Sequence, residues 1–259
     1  MLNGKRVVVV LPAYNAARTL YATVQELPEI VDQVILVDDA SRDETVALAR
    51  QLGLTVFAHE RNRGYGGNQK TCYAQALAHE ADVVVMLHPD YQYSPMLVTA
   101  MVSMIAYDVY DMALGSRILG GKAIAGGMPR YKYYANRILT LLQNLALGAK
   151  ISEYHTGYRA FSRELLEALP IERYSDNFIF DNQVLADSLV SSVRVGEISC
   201  PARYFPEASS INFHRSVAYG LGVLQVSLRG LAVRWGFLPR PFRMKSSDSS
   251  AHELTPRKA

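Results

Sequence analysis

The sequence predicts an α/β protein built on a Rossmann-like, mostly parallel sheet with helices on both faces. Two observations lead there. Apolar runs of strand length alternate strictly with helical stretches from the N-terminus to about Tyr107, the pattern of repeated strand–helix–strand units. Polar residues then gather directly after the apolar runs, where open parallel sheets bind their ligands.

The elements follow in order. "KRVVVVLPAYN" is a buried strand that ends at Pro12, and "AARTLYATVQELP" is a helix. "VDQVILVDDAS" is a second strand. Ser41 and Glu44 stand at capping-box spacing ahead of the helix "RDETVALARQL", which stops at Gly53. "LTVFAHE" is a third strand. "RNRGYGGNQK" reads as a glycine-rich loop that feeds the helix "TCYAQALAHE". "ADVVVMLH" is a fourth strand, and Ser94 and Pro95 open a helix that runs to about Tyr107. Beyond Tyr110, "DMALGSR" is a short strand ending at Arg117. "YKYYANRILTLLQNLALG" is a helix with Leu and Ile on one face. "EYHTGYRAFSRELLEAL" holds a turn and a helix capped by Ser162. "FIFDNQVLADSLVSS" is a helix and "RVGEISCPARYF" a strand. Val217, Leu221, Leu224, Leu228, Leu231 and Trp235 mark one face of a further helix. Its arginines interrupt the apolar run before a bilayer-spanning length of about 20 residues is reached, so the expected place is a membrane surface or the domain's own flank. The expected organisation is a main domain over 1–214, a basic amphipathic helical region over 215–244 and a disordered, Ser-rich tail over 245–259.

Composition narrows the class. The 259 residues are 49% hydrophobic and 20% charged, as in an ordinary globular protein. Two distant cysteines, Cys72 and Cys200, make neither a disulfide framework nor a zinc site. With no signal peptide read at the N-terminus, the expected setting is cytoplasmic, at the inner face of the cell membrane. Charge is uneven. From Arg215 onward eight basic side chains face two acids, Asp248 and Glu253, and between Asp111 and Glu153 there is no acid at all. Such regions suit phosphates or an anionic membrane, or are solvated basic faces. Nucleic acid is not an expected partner.

The candidate chemistry lies after the strands. Asp90 and Gln92 in "HPDYQYSP" are alternate residues of an extended segment and present two hard oxygen donors. They suit Mg²⁺ or Mn²⁺ completed by water and substrate phosphates, or are a turn residue and a solvated amide. Asp38 and Asp39 end the second strand, where a carboxylate accepts bonds from a ribose or base, or makes a local turn. Tyr14 and Asn15 follow Pro12, and Tyr14 is placed to stack on a base or to pack the loop. Arg117, Arg130, Lys132 and Arg203 are phosphate-binding candidates or surface charges. Asp181, an acid amid apolar residues, is a general base or a helix cap. His155 and Arg159 belong to a site or to a hydrogen-bonded turn. No Ser-His-Asp pattern, P-loop lysine motif or GxGxxG is present.

The stretches "VVVVLPAYNAARTL", "VILVDDASRDET", "NRGYGGN", "MLHPDYQYSP", "LGSR", "HTGYRAFSR" and "FIFDNQVL" resemble glycosyltransferase family 2, and within it the dolichol/polyprenol-phosphate mannosyltransferase branch. The resemblance implies a GT-A fold, a GDP- or UDP-sugar donor, a divalent metal (Mn²⁺ or Mg²⁺) and inverting transfer, with polyprenyl phosphate as acceptor. It implies nucleotide-sugar contacts at Pro12, Tyr14, Asn15, Val37, Asp39, His88, Pro89, Arg117 and Arg203. Asp90 and Gln92 fall at the family's metal and diphosphate positions. His88 stands where the family has a further aspartate, so it ligates the ion or bonds a phosphate or ribose. Asp90, Arg117 and Asp181 are the expected catalytic residues, with Asp181 the base if the acceptor is a hydroxyl. Arg130 and Lys132 are expected at the acceptor phosphate. The alternatives are a soluble family member acting on a glycan or small-molecule hydroxyl, and a nucleotide-sugar-binding protein that has lost catalysis.

Overall fold

The computed structural model describes residues 1–201 and 213–244. In chain order the elements are β1 (Val7–Ala13), α1 (Ala17–Gln25), β2 (Gln33–Asp38), α2 (Thr45–Gln51), β3 (Thr55–Ala58), α3 (Gly64–Ala78), β4 (Val83–Met86), α4 (Val98–Ala106), β5 (Met112–Ser116), α5 (Arg130–Leu147), β6 (Arg159–Ser162), α6 (Arg163–Ala168), α7 (Phe180–Val190), β7 (Val195–Ser199) and α8 (Phe213–Arg234). The strands form one sheet in the order β3-β2-β1-β4-β6-β5-β7. All pairs are parallel except those of β6, which runs antiparallel to β4 and β5.

Every residue of β1 is buried, because both faces of the sheet are covered. Val7, Val9 and Leu11 pack with residues of α1 and α4, such as Leu20 and Met101. Val8 and Val10 point the other way, into a core with Tyr73 of α3 and Phe180 of α7. The alternating side-chain direction of a strand thus builds two cores from one segment. The mixed α/β sheet expected from the alternating pattern is the one found.

Local details differ from the sequence reading. The strand β6 lies inside a stretch read as a turn and a helix; Ser162 ends it and also caps α6, accepting the backbone N–H of Leu165 at 3.2 Å. Ser41 and Glu44 form no capping box, since α2 starts only at Thr45 without a side-chain cap. Ser41 Oγ instead accepts the Asn15 N–H at 2.8 Å and ties two loops together. Ser94 makes no side-chain cap either; a 3-10 turn over Pro95–Leu97 precedes α4. The glycine-rich stretch is not a loop but the first turns of α3.

Candidate active site

The carboxyl ends of β1, β2, β4 and β5 open into one cavity of about 980 Å³, closed on the far side by residues 175–179 and by α8. The backbone puts it there: parallel strands end together, and each chain then turns over the sheet edge into a helix.

Pro12, Tyr14 and Asp39 line one end. Tyr14 is half exposed, a free ring face beside the cavity. Asp39 is fully engaged by the protein. It bonds His59 Nδ1 at 2.8 Å and accepts the backbone N–H groups of Arg63 at 2.7 Å and Gly64 at 3.0 Å. It therefore anchors the start of α3. Its neighbour Asp38 makes the local turn, accepting the Ser41 N–H at 2.9 Å. Two expected nucleotide residues are not brought to the cavity. Val37 is wholly buried in the core, and Asn15 bridges loops by accepting the Arg42 N–H at 2.9 Å. Asn68 does reach it. It lines the cavity, its Nδ2 donates to the Val37 carbonyl at 3.0 Å, and its buried Oδ1 has no partner within the protein. The "NRGYGGN" stretch carried that signal, but its glycines drew a loop reading.

His88, Pro89, Asp90 and Gln92 all line the cavity. They do so through a turn rather than an extended segment. Tyr91 sits at φ +57°, and Asp90 Oδ1 accepts the Gln92 N–H at 3.1 Å. The Pro89 carbonyl takes the Thr19 hydroxyl at 2.5 Å, which pins the turn to α1. Burial pushes the Asp90 carboxyl up, with His88 and Arg117 pulling the other way. A carboxylate held where water is scarce favours an added cation. Asp90 and the Gln92 amide are hard oxygen donors, so the donor set fits a divalent ion that takes its other ligands from a diphosphate and water. Among the described residues no three His, Cys, Asp or Glu converge.

His88 is held through one of its ring nitrogens. Its Nε2 lies 3.0 Å from the Tyr65 hydroxyl, and that hydroxyl donates to Asp181 Oδ2 at 2.5 Å. Burial and the Asp181 charge push the Tyr65 hydroxyl well above its usual range, so it keeps its proton. One hydroxyl proton serves one acceptor. The hydrogen-bond pattern thus assigns the donated proton of the second bond to His88 Nε2, so any ion or phosphate contact of this ring falls to Nδ1. The rings of His88 and Tyr65 stack with centroids 5.3 Å apart, and Phe178 lies 4.9 Å beyond. Gly157 makes the room: a Cβ there would sit 2.8 Å from His88 Nε2.

Asp181 lies behind this stack. Tyr65 lines the cavity and Asp181 does not. It sits in the first turn of α7, with Oδ1 buried and unpartnered and the buried Arg159 guanidinium 4.0 Å away. Arg159 itself binds the carbonyls of Thr156, Asp181 and Tyr154, which settles it as a structural organiser.

Arg117 reaches the cavity wall from the end of β5. Its Nε donates to Glu153 Oε1 at 2.9 Å, its backbone N–H to Glu153 Oε2 at 2.7 Å, and its Nη2 to the His155 carbonyl at 2.7 Å. Burial alone would raise the Glu153 carboxyl; the Arg117 charge and hydrogen bonds outweigh it and hold it low. Glu153 was not singled out in the sequence, where it is one acid ahead of a turn. His155 also lines the cavity, bonded through Nδ1 to the Tyr219 hydroxyl at 2.8 Å. Arg130 and Lys132 are not cavity residues: they lie in the first turn of α5, with Arg130 exposed. Lys70 binds away from the cavity, pairing with Asp176 at 2.8 Å. Arg203 and the tail over 245–259 lie outside the described residues.

Comparison with known proteins gives concordant results. Residues 8–169 match the family described as Glycosyl transferase family 2. The dolichyl-phosphate hexose transferase of Haloferax volcanii is 28% identical over 85% of this chain and 93% of its own. The UDP-N-acetylglucosamine--dolichyl-phosphate N-acetylglucosaminyltransferase of Methanococcus voltae is 25% identical over 77% of this chain and 86% of its own. Among solved structures, glucosyl-3-phosphoglycerate synthase from Mycobacterium tuberculosis, in complex with Mn²⁺, uridine diphosphate and phosphoglyceric acid, superposes with a TM-score of 0.67. That match has 19% identity and covers 88% of this chain and 79% of the other. It shows the fold, which is GT-A.

Proposed function

Because the chain belongs to glycosyl transferase family 2 and is a glycosyltransferase, we propose that it moves a sugar from a nucleoside diphosphate sugar to polyprenyl phosphate, with inversion and with a divalent ion. The observation that carries the acceptor reading is the shortage of a free carboxylate base in the cavity. The only carboxylates lining the cavity among the described residues are Asp39 and Asp90. Asp39 is consumed by His59 and the start of α3, and Asp90 stands at the ion position. Asp181 is screened by Tyr65. A hydroxyl acceptor needs a base within reach of its proton; a phosphate oxygen is already anionic and needs none. The two curated relatives named above, whose names specify dolichyl phosphate, support the same class.

In this reading Tyr14 and Asn68 hold the nucleoside end and Asp90 and Gln92 hold the ion. When bound, that ion stabilises the charge of the leaving diphosphate. Arg117, fixed by Glu153, faces the same oxygens, as a preorganised cation should. The acceptor oxygen bonds to the anomeric carbon from the side opposite the leaving diphosphate, whose bond breaks with no proton transferred. The acceptor places the working protein at the inner membrane surface, in peripheral contact.

The test is transfer from labelled UDP- and GDP-sugars to a short-chain polyprenyl phosphate, with Mn²⁺ or a chelator, in the native chain and Asp181→Asn. Metal-dependent product, reduced less than about tenfold in the variant, is expected. A loss in the range of about 10²–10⁴, typical of a removed general base, together with transfer to a hydroxyl acceptor, would reject the phosphate-acceptor reading. Donor binding with no transfer to either acceptor would favour the binding-protein alternative.

A further inference from the structure

Helix α5 is built inside out. Its core-facing side chains include Asn136, Thr140 and Gln143, all buried. They are committed to internal bonds: Asn136 Nδ2 donates to Glu153 at 2.9 Å, and Gln143 exchanges two bonds with Asn182 at 3.0 and 2.9 Å. Its outward face carries Tyr131, Tyr134, Ile138, Leu141 and Leu145, each at least 59% exposed. The spacing of three and four residues makes them one continuous stripe. A soluble helix shows the reverse arrangement. Rolling the stripe inward would break the polar contacts, so the exposure is fixed by the fold.

Helix α8 packs beside α5. Arg234 locks the pair by donating to the Leu145 carbonyl at 3.0 Å. It presents a second exposed stripe through Leu221, Leu224 and Leu228, which Trp235 continues just past the helix end. The flank next to that stripe, at Ala218, Tyr219 and Gly222, forms cavity wall. One element therefore borders both the apolar face and the site. The face is also one-signed. Neither α5 nor the stretch 213–244 contains an acid, while Arg130, Lys132 and Arg137 lie on α5, Arg234 ends α8, and Arg240 and Arg243 follow it.

We propose that α5 and α8 together form the surface by which this protein docks on an anionic lipid membrane, lying in the interface with the cavity mouth at its edge. Exposed aliphatic and aromatic stripes flanked by Arg and Lys match the layered chemistry of acyl chains beneath anionic headgroups. No described helix is long and apolar enough to cross a membrane, so the contact lies on the surface. A second copy fits worse, because two like-charged faces would meet with no acid between them. The choice of lipid rests in part on the acceptor reading above, and the test separates the two.

Trp235 is the chain's one tryptophan and is exposed, so its emission reports the face directly. The full chain is mixed with vesicles of phosphatidylcholine alone, and with vesicles that also contain phosphatidylglycerol. Neither contains polyprenyl phosphate. A blue shift and co-flotation with the anionic vesicles, weakened by added salt, are expected. Leu141→Glu and Leu228→Glu should each weaken binding about tenfold, while transfer to a water-soluble short-chain acceptor stays unchanged. Failure of transfer with intact vesicle binding would reject only the acceptor reading. No vesicle binding, binding indifferent to both variants, or a vesicle-free blue shift accompanied by self-association that Leu141→Glu abolishes, would each overturn the docking proposal.

Discussion

At the residue scale the cavity depends on pairs whose partners sit far apart in sequence. Glu153 is wholly buried and Arg117 largely so. Removing one partner leaves the other charge buried and uncompensated, which costs about 3–5 kcal/mol. Glu153→Ala should therefore lower unfolding stability by about 3 kcal/mol or more in a denaturant titration, and transfer should fall with it as Arg117 loses its seat. His155 gives a pH signature. Burial holds its imidazole down to about 4, against an ordinary 6.5. Below pH 6.5 the unfolded chain takes up a proton that the folded chain refuses until about pH 4. Stability should thus fall as pH drops through that window. Comparing the native chain with His155→Asn by thermal unfolding across pH isolates this contribution; equal slopes would reject it. The identity of such residues as polar was plain in the sequence. Their partners were not, because Tyr65 and Asp181, 116 residues apart, meet only in the folded chain.

Elements show the same division. The amphipathic pattern of α5 and its end at Gly148, in the left-handed conformation, are local and legible. Which face turns outward is not local, since it depends on the polar partners that Glu153 and α7 supply. The glycines of α3 make the point more sharply. Read along the chain, "RGYGG" looks like a flexible loop. In space Gly66 and Gly67 let the helix start abut residues 175–176, and both N–H groups point at the Asp176 carbonyl, Gly66 at 2.7 Å. A Cβ on Gly66 would fall well inside contact distance of the Ser175 carbonyl oxygen. Gly66→Ala should cost about 1–3 kcal/mol from overpacking, with Gly53→Ala as the control. Gly53 has open space but a positive φ of 74°, so its loss reports backbone strain alone. A cost at Gly66 no larger than at Gly53 would refute the packing role.

For the whole molecule, the strand–helix alternation set the sheet, and the sheet set the place of the site. Polar residues after β1, β2, β4 and β5 were visible as candidates because a parallel sheet brings its strand ends to one edge. The sequence by itself determined the α/β class, that edge and most of the side chains on it, since periodicity and strand termini are properties of neighbouring residues. Tertiary structure alone decided that Asp181 stands behind Tyr65, that His88 bonds Tyr65 through Nε2, that Arg130 and Lys132 lie outside the cavity, and that the apolar stripe of α5 faces out. Each of those depends on groups brought together from distant parts of the chain, where burial and hydrogen-bond pairing, not sequence spacing, fix the outcome.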